Sequence, residues 1–160
     1  LVTKLIDGIY PNYEKVMPQD RPHSVTLLRR DFIQAIGFAE RAMPGRGPNP
    51  ALLSLQRQAG VPHLVIDMLS AEGDGALLPQ PVIACTPDFA PIAFNAGYLR
   101  DVLSPFDAEE ITMHTAGPGD PAVIADGAFT VVLMPMRGGR EPRALPVPSD
   151  RKNHEGRAAA

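Results

Sequence analysis

Apolar positions recur along this chain with two periods, and each switch between them marks an element. Val25–Leu28 is a short run of β-forming residues, and from Asp31 to Met43 the period becomes helical. Phe32, Ile36, Ala39 and Met43 recur at spacings of four, three and four, a stripe that needs a core beneath it. Arg30, Gln34, Phe38 and Arg41 fall on the opposite face. Asp31 suits an N-cap or a first-turn acid, and Pro44-Gly45 stops the helix. Ala51–Gln56, Leu64–Leu69 and Val82–Thr86 read as strands, separated by Ala59-Gly60 and by the Gly73–Gly75 turn. Ala90–Phe94 then leads into a second helix with Asn95 as N-cap, Leu99, Val102, Leu103 and Phe106 as buried stripe, and Pro105 at its end. Ile111–His114, Ala122–Ala125 and Phe129–Met134 read as strands, joined by turns at Gly117-Pro118-Gly119 and Asp126-Gly127.

The order is strand, helix, three strands, and then the same again. An offset of 66 residues lays Thr26 on Ile92, Leu28 on Phe94, Phe32 on Tyr98, Ile33 on Leu99 and Ile36 on Val102. The matching element order makes duplication the better reading. The expected fold class is α+β: two helices backed by eight strands in antiparallel sheets, with an internal pseudo-two-fold repeat.

A length of 160 residues fits one domain with appendages. The chain opens on Leu1 rather than Met, so the true N-terminus is expected to have been removed or to lie upstream. No apolar run approaches the length of a membrane span, and no basic-then-apolar signal segment opens the chain. The single cysteine, Cys85, cannot close an internal disulfide, which fits a reducing, cytoplasmic setting. The formal net charge of −3 argues against tight, charge-driven nucleic-acid binding over the whole surface. Charge is unevenly spread: residues 1–138 hold 10 Lys/Arg against 15 Asp/Glu, whereas residues 139–160 hold 5 against 3. Those last residues include three prolines and one isolated leucine, too little apolar surface to offset the entropy of ordering, and are expected to be a disordered tail.

Nothing in the chain assembles a nucleophile, a base and an orienting group. His23, His63, His114 and His154 are scattered without ligand spacing, so no metal site is expected, and Cys85 reads as a small buried hydrophobe. Asp107, Glu109 and Glu110 form a solvated acidic turn after a helix. Gly117-Pro118-Gly119 and Gly138-Gly139 lack the Lys-Ser/Thr of a phosphate-cradling loop. A catalytic role and a cofactor are therefore not expected.

Three ordered segments carry a more specific signal. They are Lys4-Leu5-Ile6-Asp7-Gly8 with Tyr10-Pro11-Asn12-Tyr13, then Phe94-Asn95-Ala96-Gly97-Tyr98-Leu99, then Val131-Val132-Leu133-Met134-Pro135-Met136-Arg137. In this order they resemble the last third of the bacterial β sliding clamp, the β subunit of DNA polymerase III. From Pro44 to Pro91 only the strand pattern matches. The resemblance implies a DNA-clamp domain and a division into residues 1–20 as the end of a middle clamp domain with its linker, 21–138 as the C-terminal clamp domain, and 139–160 as the tail.

The resemblance further implies a processivity factor of DNA replication, non-enzymatic itself, that holds polymerases and repair proteins on DNA. Such clamps are homodimeric rings around double-stranded DNA, contacted non-specifically by the inner helices; Arg30, Arg41 and Arg100 are the DNA-facing candidates here. A surface cleft takes short peptides of roughly Gln-Leu-x-Leu-Phe type from DNA polymerase III and other clamp-binding proteins. Carried over, its residues are Pro11, Lys15, Val16, Asn95, Tyr98, Val132, Leu133, Met134, Pro135, Met136 and Arg137. Val132, Met134, Pro135 and Met136 offer an adaptable apolar surface, and Asn95, Tyr98 and Arg137 the polar handles that fix a peptide's orientation. The chain departs from the family in lacking the first domain and most of the middle one, in the tail after Arg137, in Gly37-Phe38 where basic residues often face DNA, and in the polar Gly119-Asp120-Pro121 turn. The alternative is a truncated clamp-like interaction module that never encircles DNA.

Overall fold

Strand β1 (His23–Leu28) buries Val25 and Leu27 and turns Ser24 and Thr26 to its other face. The chain is described here from a computed structural model covering residues 17–43, 49–126, 129–137 and 140–146. Helix α1 (Arg29–Arg41) follows β1 directly and buries Phe32, Ile36 and Ala39 of the expected stripe, while Met43, its fourth member, lies past the helix end and is partly buried. It starts two residues before Asp31: Leu28 is the N-cap and makes no side-chain cap bond, so Asp31 is a first-turn acid. The start of α1 is tied down from outside, by Arg29 N donating to Glu109 O and Arg29 Nε donating to Ala108 O, each at 2.9 Å.

Three strands form a meander: β2 (Pro50–Gln58), β3 (Val61–Leu69) and β4 (Gly75–Pro81). Strand β4 falls where a turn and a loop were expected. Pro79 and Pro81 hide it from a propensity reading, but prolines are tolerated because β4 is an edge of its sheet. Gly75 opens it for steric reasons, since a Cβ there would collide with Met68 O. The expected Val82–Thr86 strand shrinks to β5 (Ala84–Cys85) against β1, and Cys85 is only partly buried. Strand β6 (Ile92–Asn95) enters helix α2 (Ala96–Leu103), where Asn95 Oδ1 accepts from Tyr98 N at 3.1 Å, the expected N-cap. Strands β7 (Glu110–Thr115), β8 (Ala122–Asp126) and β9 (Phe129–Leu133) complete nine strands among the described residues, against eight expected.

Two antiparallel sheets result, ordered β5-β1-β7-β8-β9 and β4-β3-β2-β6. The first strand of each half is exchanged: β1 pairs with β7 of the second half, and β6 pairs with β2 of the first. The repeat is real, but its offset is 67 residues rather than 66. At 67, buried Val25, Leu27, Phe32 and Ile36 fall on buried Ile92, Phe94, Leu99 and Leu103, and the N-cap Leu28 falls on the N-cap Asn95. The offset of 66 laid buried Phe32 on Tyr98, which is 65% exposed; one residue of slip moves a stripe onto the wrong face.

The core lies between helices and sheets, with Phe32, Ile36, Phe94, Leu99, Leu103 and Phe106 among its largest fully buried side chains. No helix among the described residues is long and apolar enough to cross a membrane. The expectation of a disordered tail fails for residues 140–146. They lie extended against the sheet β4-β3-β2-β6, hydrogen-bonded through Arg140, Arg143 and Leu145. Composition misjudged them because polar side chains, not apolar burial, hold them in place.

Candidate functional site

The outer face of the second sheet carries a row of residues set by strand register. Ala93 of β6 stands opposite Leu52 of β2, and Leu52 stands opposite Asp67 of β3. Alternation turns these away from the helices, while Leu53, Ile66 and Phe94 go to the core. After Leu133 the chain leaves β9 and crosses to the free edge of β6, where Met136 N donates to Ala93 O at 2.7 Å. That single bond extends the row by one residue and sets Met134–Arg137 along the rim of a groove of about 570 Å³.

The groove is lined by Leu52 and Ala93 of the sheet, by Met134, Pro135, Met136 and Arg137, by Pro91, Pro118 and Gly119, and by Arg140, Glu141 and Pro142. Met134 is 62% exposed, an unusual state for a large apolar residue, whereas Pro135 and Met136 are half-buried. Arg137 is exposed. The arrangement suits an extended apolar ligand whose backbone or side-chain oxygens meet a cation at the mouth.

The other residues named from sequence are placed differently. Leu133 is buried in the core, and Val132 is half-buried on β9 opposite Val123. Asn95 spends its side-chain oxygen on the cap of α2, and Tyr98 stands exposed one turn into that helix; neither lines the groove. Pro11, Lys15 and Val16 lie outside the described residues. Sequence reading missed Leu52, Pro91, Ala93 and the Arg140–Pro142 side. The first three carry no chemical signal beyond being apolar, and strand register places Leu52 and Ala93.

The DNA-facing candidates fall into two places. Arg41 and Arg100 line one groove beside Phe38, Leu78 and Gln80, and Arg30 lines an adjoining hollow with Leu28 and Glu109, Asp31 and Gln34 bordering both. The Arg41 guanidinium lies 5.8 Å from the centre of the Phe38 ring, so the exposed Phe38 stacks with a cation of its own helix. Arg100 is ion-paired with Glu40, with Asp101 3.8 Å away, which cancels much of its field.

The densest charge cluster lies behind the first groove. Asp67 is fully buried, and Arg140 grips it with two hydrogen bonds, Nη1 to Oδ2 at 2.5 Å and Nη2 to Oδ1 at 2.6 Å. Arg143 adds its backbone N to Oδ2 at 2.9 Å and its Nε to Oδ1 at 2.8 Å. Burial pushes the Asp67 carboxyl up, but the hydrogen bonds from Arg140 and Arg143 outweigh it and hold the group below its ordinary value. No group of three or more His, Cys, Asp or Glu side chains is placed to hold a metal ion among the described residues.

No family model matches the chain. It is 26% identical over 140 residues to the beta sliding clamp of Caulobacter vibrioides, covering 86% of this chain and 36% of that protein. The chain thus spans about a third of the length of the curated relatives it matches. In structure it is similar to the DNA polymerase sliding clamp of Caulobacter crescentus, with a TM-score of 0.72 and 25% identity over 85% of this chain and 35% of that one. The sliding clamp of Bacillus subtilis gives a TM-score of 0.73 at 21% identity, covering 86% of this chain and 36% of its own.

Proposed function

We propose that this chain, similar in sequence and fold to part of the bacterial β sliding clamp, acts as the C-terminal, partner-binding end of such a clamp in DNA replication. Residues 1–20 are the end of a middle domain and residues 21–138 the C-terminal domain. The role is that of a non-enzymatic, cytoplasmic accessory: it tethers DNA polymerase III and repair proteins to DNA through short linear motifs. The observation that carries the reading is the groove itself, with Met134–Arg137 laid along the β6 edge above Leu52 and Ala93. The remaining proposed cleft residues are Pro11, Lys15 and Val16; Asn95, Tyr98, Val132 and Leu133, also named from the sequence, do not line the groove.

The energetics set the expected affinity. Burying one Leu and one Phe of a Gln-Leu-x-Leu-Phe peptide yields about 1.5–3 kcal/mol each. Association costs roughly 4–15 kcal/mol in lost freedom, so further contacts are needed to reach even micromolar binding, about −8 kcal/mol. Binding is weak and exchangeable, as a shared tether requires. Fluorescence polarisation with the labelled peptide tests this: saturable binding is expected, and Met134→Ala/Met136→Ala weakens it at least tenfold, about 1.4 kcal/mol. Equal binding by both proteins, or none up to millimolar concentration, would remove the cleft assignment.

A second reading has its own support. A clamp-like interaction module that does not encircle DNA is favoured by Arg100, whose charge is taken up by Glu40. Encirclement requires further domains or a homodimer and leaves a topological signature. Retention on closed circular DNA with loss on linear DNA supports the ring; no retention on either supports the module. In the ring reading Arg30, Arg41 and Arg100 touch phosphates, and their contribution falls steeply with salt.

A further inference from the structure

We infer that residues 140–146 are a strap that builds one side of the groove, and that Asp67 is the positioning residue that holds it there. The inference rests on the groove being the partner site and goes beyond it by assigning part of the site to the segment after Arg137. The row Ala93–Leu52–Asp67 joins the two ends of the argument, since the groove floor and the buried carboxylate are adjacent in register. Arg140 and Arg143 converge on Asp67, and Arg143 Nη2 also donates to Met68 O and Ala76 O, each at 2.9 Å. Further along, Gln56 bonds both ways, donating to Arg143 O at 2.8 Å and accepting from Leu145 N at 2.9 Å, and Gln58 donates to Pro146 O at 3.3 Å. Each bond fixes the strap's backbone or its two arginines, and Arg140, Glu141 and Pro142 line the groove together with Met134 and Met136.

This is a wall and not a plug, because the groove remains open with the strap seated. Asp67 itself does not line the groove, so its effect on a ligand passes entirely through Arg140 and Arg143. Releasing the strap removes Arg140, Glu141 and Pro142 from the groove's lining and changes the surroundings of Met134 and Met136.

The test uses the full chain, the Asp67→Asn variant and the Arg140→Gln/Arg143→Gln double variant, titrated with the labelled Gln-Leu-x-Leu-Phe peptide. Both variants should bind about tenfold more weakly, the effect of losing contact with roughly two methylene groups. In parallel, methyl-labelled methionine spectra of the peptide-free proteins should show Met134 and Met136 shifted in both variants. Met113, buried in the other sheet, should stay fixed and so report an intact fold. Unchanged or tighter peptide binding with Met113 unmoved overturns the inference. If the unaltered chain binds no peptide, the partner-site reading fails separately and the methyl spectra decide the strap. Shifts at Met134 and Met136 then support the wall, and unshifted resonances overturn it.

Discussion

Asp67 lies in a run of apolar residues on a central strand, with no exposed surface. An unpaired carboxylate there would be intolerable; two half-exposed arginines and a backbone N–H make it a fixed point of the structure. Its pKa is lowered in the folded state, so it stabilises the fold fully above the ordinary carboxylate pKa and ceases to do so as pH falls through its folded value. Asp67→Asn should cost about 2 kcal/mol at neutral pH, the scale of hydrogen bonds to a charged group. Urea midpoints of the two proteins should then converge as the pH drops below about 4. A gap that stays constant with pH would show that charge is not what holds the strap. Burial, and secondly the charge of Arg21, push His114 down, so acidification below about 6.5 also opposes the fold. That contribution is common to both proteins and cancels in the comparison.

Among the elements, the hairpin between β2 and β3 turns on two residues, Ala59 with φ of 50° and Gly60 with φ of 82°. Two-residue hairpins need positive φ at both positions, which suits Asn-Gly and strains alanine. An alanine in the left-handed region costs about 1–2 kcal/mol. Ala59→Asn is therefore expected to raise stability by roughly 0.5–1 kcal/mol, read as a higher Tm; an unchanged or lower Tm would mean the turn relaxes without strain. Helices and turns were the legible elements: the α1 stripe, the Asn95 cap and the Ala59-Gly60 break all stood in the sequence. Strand β4 was hidden because its prolines are acceptable only at a sheet edge, and edge position is a property of pairing partners far away in sequence.

At the scale of the whole molecule, the exchange of β1 and β6 makes each half depend on the other. Without β7, β1 keeps only the two-residue β5, and without β2, β6 has no partner in its sheet. Folding is expected to be a single cooperative transition. Fragments 17–88 and 89–160 should each be largely unstructured by circular dichroism, and their mixture should regain β-sheet signal. A stable isolated half would show that the duplicated units kept their independence.

Period and spacing alone determined the α+β class, both helix stripes and the duplication, because each is a local pattern of side chains, whereas Met134–Arg137 stood out through the resemblance to the sliding clamps. The offset of the repeat, the exchanged strands, the groove floor at Leu52 and Ala93, and the seating of residues 140–146 on Asp67 were decided only in three dimensions. Register between distant strands, and ion pairs separated by more than 70 residues, follow from which surfaces meet and leave no periodic trace along the chain.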